Sequence, residues 1–456
     1  MRGRIRRALA AAALVLGTCA SLGAADPARL SPEEARRAAW AALQGGRPHV
    51  ALQIAEALRP GAPDDFELIF LSAEAQRVMG NAEGALVTAR EAWRAAQDPG
   101  HRFDAAHLVA KAHYAGGRPG RAQFWLRRAA QLAPDDTARQ LAARDFRHVR
   151  DTSPWTVRLA FGTFPTSNIN NGSTADTIEI NGLQFDVPVT GQPHSGTGFH
   201  GTVDVGYRTA LGDGRMLRLG LRLKGTTYRL SSDAKALGSG LRGRDFASAA
   251  VEFRAGLSFA PASTEGPWGA RHLDALVGRS WYGGNPLANY ARVSARQDLR
   301  LGADTVGSVG LSLERQWRLD DGRASADVAA LSFGLRHRLD TGGRLDARLT
   351  LRNTQSASAL VHSREVKADL AWTLPRQGPV EPTFSLTLSQ TDYALTVGGV
   401  GRRDRKATAA LSLFFPKVSY YGFAPTVTLS GSRRSSTLDI YSTRDARLSL
   451  GIRSTF

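Results

Sequence analysis

Cysteine is almost absent from this chain. The single one among 456 residues is Cys19. It lies in an N-terminal stretch with the marks of a cleaved leader over 1–25: Arg2, Arg4, Arg6 and Arg7, then the apolar "ALAAAALVLGTCASL", then the small residues "GAA" before Asp26. Cleavage after Ala25 would leave a mature chain with no cysteine, which excludes disulfides and cysteine-based metal sites. Lysine is scarce as well, 6 of the 59 basic residues. A GC-rich genome alone would produce such an arginine bias, so the basic balance by itself does not argue for a nucleic-acid partner. Past the leader no run of 18 consecutive apolar residues occurs, which argues against a spanning helix. Catalytic signatures are missing too: no GxxxxGK[ST], no HExxH, no GxSxG, and scattered histidines. The sequence therefore predicts no catalytic residue, no metal site and no cofactor.

What is present falls into two regions of different period. The formal charge of +18 is spread unevenly. Residues 26–150 carry 18 basic and 15 acidic groups, and residues 151–456 carry 37 and 26. In 26–150 the apolar period is helical, and Ala, Leu, Arg and Glu dominate. Gly46, Gly80 and Gly117 stand 34 and 37 residues apart, and five residues after each comes Ala51, Ala85 or Ala122. In the third copy Ala122, Leu126 and Ala129 precede Pro134 at tetratricopeptide-like spacing. The glycine is expected to end one helix in a left-handed turn, and the small alanines to let the next helix pack closely. "SPEE" at 31–34 reads as a capped helix start with Pro32 in the first turn. Three helix pairs and a last helix over 135–149 are expected, with Trp40, Phe66, Phe70, Trp93, Tyr114, Phe124 and Trp125 in the core. Stacked repeats of this kind usually present a groove to a peptide or protein partner.

Past Ser153-Pro154 the period changes to two. In "RMLRLGLRLKGTTYRL" Leu217, Leu219, Leu221 and Leu223 share one face, and Arg218, Arg222 and Lys224 the other. "YARVSARQDLRLG" puts Arg292, Arg296, Asp298 and Arg300 on one face. In "RLDARLTLRN" Leu345, Leu349 and Leu351 stand opposite Arg348 and Arg352. Fourteen such strands can be counted from residue 155 to the end, joined by turns such as "LGDGR" and "LDTGGR". An outer-membrane strand needs roughly 9–11 residues across the bilayer, and single-chain bacterial barrels usually have even strand numbers. Tryptophans and tyrosines near strand ends suit aromatic girdles. The predicted fold is thus an α-helical, TPR-like repeat domain (26–150) followed by a transmembrane antiparallel β-barrel of about 14 strands (151–456). The inward basic face would comprise Arg218, Arg222, Lys224, Arg292, Arg296, Arg300, Arg348 and Arg352; it could guide an acidic unfolded client, or be an ordinary polar lumen balanced by Asp298, Asp346 and similar acids. In the last strand Leu448, Leu450, Ile452 and Phe456 share a face. The terminal Phe456 is expected to act as the signal read by the outer-membrane barrel assembly machinery.

Between the first two long strands lies "PTSNINNG" at 165–172. It opens a connection reaching to about residue 197, the longest in the barrel and therefore a candidate functional loop. Asn168, Asn170 and Asn171 are expected to organise it through side-chain to backbone hydrogen bonds and left-handed geometry.

Helical repeats, a Ser-Asn-Ile-Asn motif just after the first strand and a fourteen-strand barrel resemble, in that order, the surface lipoprotein assembly modulator (Slam) family. The resemblance spans most of the mature chain. Its local carriers are "PTSNINNG" and the last hairpin, "GSRRSSTLDIYSTRDARLSLGIRSTF" at 431–456; Thr166 stands where an acidic residue is often found. The resemblance implies an outer-membrane translocon, not an enzyme, with its helical domain in the periplasm. It implies as partners a surface lipoprotein or secreted client, membrane lipids and a periplasmic chaperone. It makes Ser167, Asn168, Ile169, Asn170 and Asn171 the translocation loop motif. Two rival readings are an exopolysaccharide export pore with a TPR-like assembly domain, and a plain porin.

Overall fold

The computed structural model describes residues 30–454 except 176, 181–182, 189–190, 238–239, 262, 264–265, 419 and 422. The predicted leader and Phe456 lie outside the described residues. The chain divides into two compact units, Met1–Arg118 and Pro119–Phe456.

The first unit holds α1 (Pro32–Gln44), α2 (Pro48–Leu58), α3 (Phe66–Val78), α4 (Ala82–Ala95) and α5 (Pro99–Ala115). Most starts follow from a side-chain cap; α2 instead begins at Pro48 with none. At the predicted capped start of α1, Ser31 and Glu34 form a capping box. Asp65 accepts from the N–H groups of Glu67 and Leu68, and Asn81 from that of Gly84. The helix stops recur. Gly46, Gly80 and Gly117 have φ of 72°, 84° and 70°. After each glycine the next N–H reaches back five residues: Arg47 to Ala42, Asn81 to Gln76, Arg118 to His113, at 2.8–2.9 Å. That is one left-handed helix stop built three times, as the spacing of the glycines predicts. Ala51 and Ala85 are fully buried. The core runs through alanines, with Ala39, Ala42, Ala51, Ala55, Leu71 and Ala75 packed under Trp40 and Leu43. Tyr114 is exposed rather than in this core.

The second unit opens with α6 (Pro119–Leu132) and α7 (Asp136–Thr152). Phe124, expected in the core, is exposed on α6, while Ala122, Leu126 and Ala129 form the buried face. The strands follow: β1 (Trp155–Thr166), β2 (Thr177–Ile180), β3 (Leu183–Asp186), β4 (Gly196–Gly212), β5 (Arg215–Leu230), β6 (Ser248–Phe259), β7 (Trp268–Tyr282), β8 (Asn285–Arg300), β9 (Thr305–Arg318), β10 (Ala326–Arg338), β11 (Arg344–Ser356), β12 (Ser363–Thr373), β13 (Glu381–Val397), β14 (Val400–Phe414), β15 (Phe423–Ser436) and β16 (Thr443–Ser454). A short helix α8 (Ser232–Leu237) lies between β5 and β6. Fourteen strands, β1 and β4 to β16, form a closed antiparallel barrel, and β2–β3 is a separate hairpin inside the long connection. Antiparallel neighbours joined in sequence order explain the short turns, and closure of β1 on β16 removes both sheet edges.

Alternation sets the two faces. Val157, Leu159 and Phe161 of β1, Leu311 and Leu313 of β9, and Leu448, Leu450 and Ile452 of β16 are exposed on the outside. Their neighbours in sequence point inward. Trp155, Trp268, Trp372 and Tyr420 mark the end where β1 begins, the near end; Tyr282 and Trp317 mark the other, the far end. An apolar band between two aromatic rims is the surface a bilayer would cover.

At the near end Arg127 ties α6 and α7 to the barrel. Its guanidinium lies between the rings of Phe146 (α7) and Phe423 (β15), 4.6 Å from each centroid. It donates to the Tyr421 carbonyl at 3.2 Å. Burial pushes its pKa down to about 10, so it stays charged at neutral pH. A desolvated cation–π contact is worth about 2 kcal/mol. Arg127→Ala is expected to speed amide exchange across 119–152 while barrel strands stay protected; unchanged exchange there would remove Arg127 as the anchor.

Candidate functional site: a latched loop beside the barrel seam

The connection from β1 to β4 is organised by the predicted asparagines. Asn168 is buried. Its Nδ2 donates to the Gly172 carbonyl at 2.9 Å and to the Arg444 carbonyl at 3.2 Å, and its Oδ1 accepts from the Gly172 N–H at 2.7 Å. Asn170 donates to the Gln192 carbonyl at 2.7 Å and accepts from the His194 N–H at 3.0 Å, joining the outgoing and returning arms. Gly172 is required there, because a side-chain carbon would collide with the backbone of Gln192 and Pro193. Asn171 has φ 53°, the left-handed geometry that asparagine tolerates. Ile169 is the apolar peg: it is buried against Leu230 and Ala234, with Tyr228, Leu241 and Phe246 packed around them.

The motif also reaches the last hairpin. The Thr166 hydroxyl donates to Asp445 Oδ1 at 2.5 Å, and the Ala446 N–H donates to Ser167 Oγ at 3.1 Å. The Thr174 N–H donates to the Ser442 carbonyl at 2.8 Å, and the Ser173 hydroxyl to that of Asp439 at 3.2 Å. Here the acid facing position 166 comes from the opposing strand, and threonine supplies the donor it needs. The 439–442 turn is itself held by Arg402. That guanidinium lies 4.0 Å from the Tyr393 ring and 3.5 Å from the Tyr441 ring, and donates to both oxygens of Asp404. Periodicity places Arg402 inward and nothing more. Its role, like those of Asp445, Gln192 and His194, depends on partners distant in sequence.

Beneath this latch the barrel closes unevenly. β1 pairs with β4 along all 12 of its residues. Toward β16 the register among the described residues runs through Phe161↔Ile452, Gly162↔Gly451, Thr163↔Leu450 and Thr166↔Arg447. It skips Phe164 and Pro165. Proline has no N–H to donate. Phe164 turns inward, where Arg447 sits 4.4 Å over its ring and Gly198 leaves room for it.

The predicted basic residues do line the interior, but most are neutralised. Arg218 bridges to Asp274 at 3.2 Å, Lys224 to Glu252 at 3.1 Å, Arg296 to Asp298 at 3.1 Å and Arg352 to Glu365 at 3.7 Å. Arg222 pairs with Asp204, and Arg292 with Glu314. Arg300 ends β8 at the near rim. Arg348 has no carboxylate within 4 Å among the described residues. Together with Arg218, Arg292, Arg296 and Arg352 it lines an inner cavity of about 700 Å³ that Asp274, Glu314 and Asp369 also face. The cations of these pairs are a third to a half exposed, whereas Glu252 and Glu314 are under 10% exposed; the wall is a lattice of paired charges with a modest local excess of positive charge.

No protein-family profile matches the chain, and no curated protein does. Solved structures similar to it include a bacterial polysaccharide outer membrane secretin (10% identity, 66% of this chain and 98% of that one, TM-score 0.34). They also include the outer membrane protein opdK from Pseudomonas aeruginosa (9%, 65% and 97%, 0.34) and an anion-selective porin from Comamonas acidovorans (13%, 66% and 99%, 0.32). At these scores the likenesses carry no functional weight. The chain's own geometry defines its class: a closed fourteen-strand antiparallel barrel with an N-terminal helical region.

Proposed function

We propose that this protein is an outer-membrane translocon of the kind the Slam resemblance implies, helping lipoproteins or related secreted proteins reach the cell surface. The observation that carries the reading is the Ser167–Asn171 loop fastened across the far end of the β1–β16 seam, where the ladder skips two residues. In this reading the near end faces the periplasm, and the TPR-like helical region receives the client or its chaperone. The barrel supplies the route. Acyl chains are held in a bilayer by about 0.8 kcal/mol per CH₂. A lipid-tailed client therefore keeps its tails in the membrane while its polypeptide crosses. A seam that parts beside the lumen satisfies both demands; a sealed pore satisfies only the second. No phosphate loop is present in the sequence, so client folding outside, chaperone hand-off or biased diffusion would supply direction.

The test is protease shaving of intact cells with and without the gene, read by mass spectrometry. One or a few lipoproteins are expected to vanish from the surface at unchanged total amount. An unchanged surface proteome would overturn the reading in favour of polymer export.

A further inference from the structure

The outer wall of the barrel next to the seam carries a feature that protein translocation does not require. Arg433 of β15 and Arg444 of β16 are a register pair, directly opposite one another, and both are exposed on the outside. Two inward arginines of the same hairpin, Arg434 and Arg447, have carboxylate partners, Asp404 at 3.9 Å and Asp445 at 3.0 Å. The outward pair has none within 4 Å among the described residues. Like charges placed opposite on neighbouring strands repel. An anion between them reverses the sign of that interaction.

The surface below shows what kind of anion fits. One row toward the near end, Gly431 opposes Ala446, and one row further Leu429 opposes Leu448. Nothing lies within 4 Å of where a Gly431 side chain would begin, and the leucines beyond, 60% and 43% exposed, make an apolar floor. Leu429, Ala446 and Leu448 border a notch of about 680 Å³ that crosses the seam and takes in Pro165, Ser167 and Arg229. Paired cations stand at the far rim, with a shallow apolar trough running from them toward the middle of the barrel wall. That order of chemistry matches an amphipathic anion, charged at the head and hydrocarbon below. Arginine forks match phosphate oxygens bidentately.

The geometry points to a binding site for a phosphorylated, multiply acylated lipid of the outer leaflet on the outside of β15–β16, its phosphate held by Arg433 and Arg444 and its acyl chains lying over Gly431, Ala446, Leu429 and Leu448. The inference rests on the proposed reading only in that the barrel spans a bilayer with its far end outward. Because Asn168 holds the Arg444 carbonyl, the bound lipid would share a residue's backbone with the latch and would be placed to stiffen the strand that closes the barrel.

The test uses the full chain purified in detergent and native mass spectrometry. The probe is a bis-phosphorylated, hexa-acylated glucosamine disaccharide, compared with its dephosphorylated form and with phosphatidylglycerol. The phosphorylated probe is expected to bind at least tenfold more tightly than either. The double variant R433A/R444A is expected to lose that preference, and R433K/R444K to keep most of it. These side chains face outward, so the barrel should fold in each variant, and its resistance to heat in detergent checks this. Equal binding of all three lipids, or an unchanged preference in folded R433A/R444A, would overturn the site. Spontaneous insertion into vesicles, measured separately by flotation, reports on the membrane-spanning reading. A barrel that inserts but shows no phosphate preference sinks the lipid site alone.

Discussion

A disulfide joining Thr163→Cys to Leu450→Cys is expected to reduce surface delivery of an acylated client by tenfold or more, with reductant restoring it. The two positions are a register pair on β1 and β16. Opposed residues of an antiparallel pair have Cβ atoms about 4.5–5.5 Å apart, near the reach of a disulfide. The only native cysteine is Cys19, in the predicted leader, so mispairing is not a concern in a processed chain. The effect should be large because the lock acts on the one joint whose parting the proposed seam route needs. The control is the same chemistry away from the seam, Leu349→Cys with Ala368→Cys on β11 and β12, also a register pair. It is expected to leave delivery intact. Undiminished delivery through a locked seam would leave the lumen as the route.

The second large effect concerns the latch. Asn168→Ala removes two donated bonds and one accepted bond in a buried setting. Each buried polar group left unpaired costs about 1–3 kcal/mol. The Gly172 N–H and the carbonyls of Gly172 and Arg444 all lose their bond to Asn168. Amide exchange over 167–175 and 191–195 is expected to rise at least a hundredfold, with strands on the opposite wall unaffected. Asn168→Asp should not rescue it, since a carboxylate keeps the acceptor but faces two carbonyls. Asn171→Gly, by contrast, should be near neutral, because glycine adopts its positive φ freely. Protection of the loop unchanged in Asn168→Ala would mean that Ile169 and its apolar pocket hold the loop without the asparagine.

Much of this architecture is written locally. The alternation in "RMLRLGLRLKGTTYRL" fixes which side of β5 is apolar, whatever strand lies beside it, because side chains of a strand point to opposite faces residue by residue. The same logic recovers all fourteen barrel strands. The three left-handed stops at Gly46, Gly80 and Gly117 are legible because a helix end is decided within one turn. The asparagine-rich loop could be singled out for the same reason: it interrupts an alternating pattern with turn formers, and it is long.

Partner choice is not local, and there the sequence falls silent. Eight inward basic residues suggest a positively charged lumen; six of them meet carboxylates from the same or neighbouring strands once register is set. The latch joins Asn168 to a carbonyl 276 residues away, a separation across which no periodicity carries information. The cations facing outward at 433 and 444 read as two unrelated arginines until β15 and β16 are laid side by side. The sequence by itself determined the elements, their faces and the class of fold, since these depend on near neighbours and on the period of apolar residues. Only the tertiary structure decided which charges cancel, what the loop fastens to and where the seam is weak, since those depend on closure of the barrel, which brings the first strand against the last.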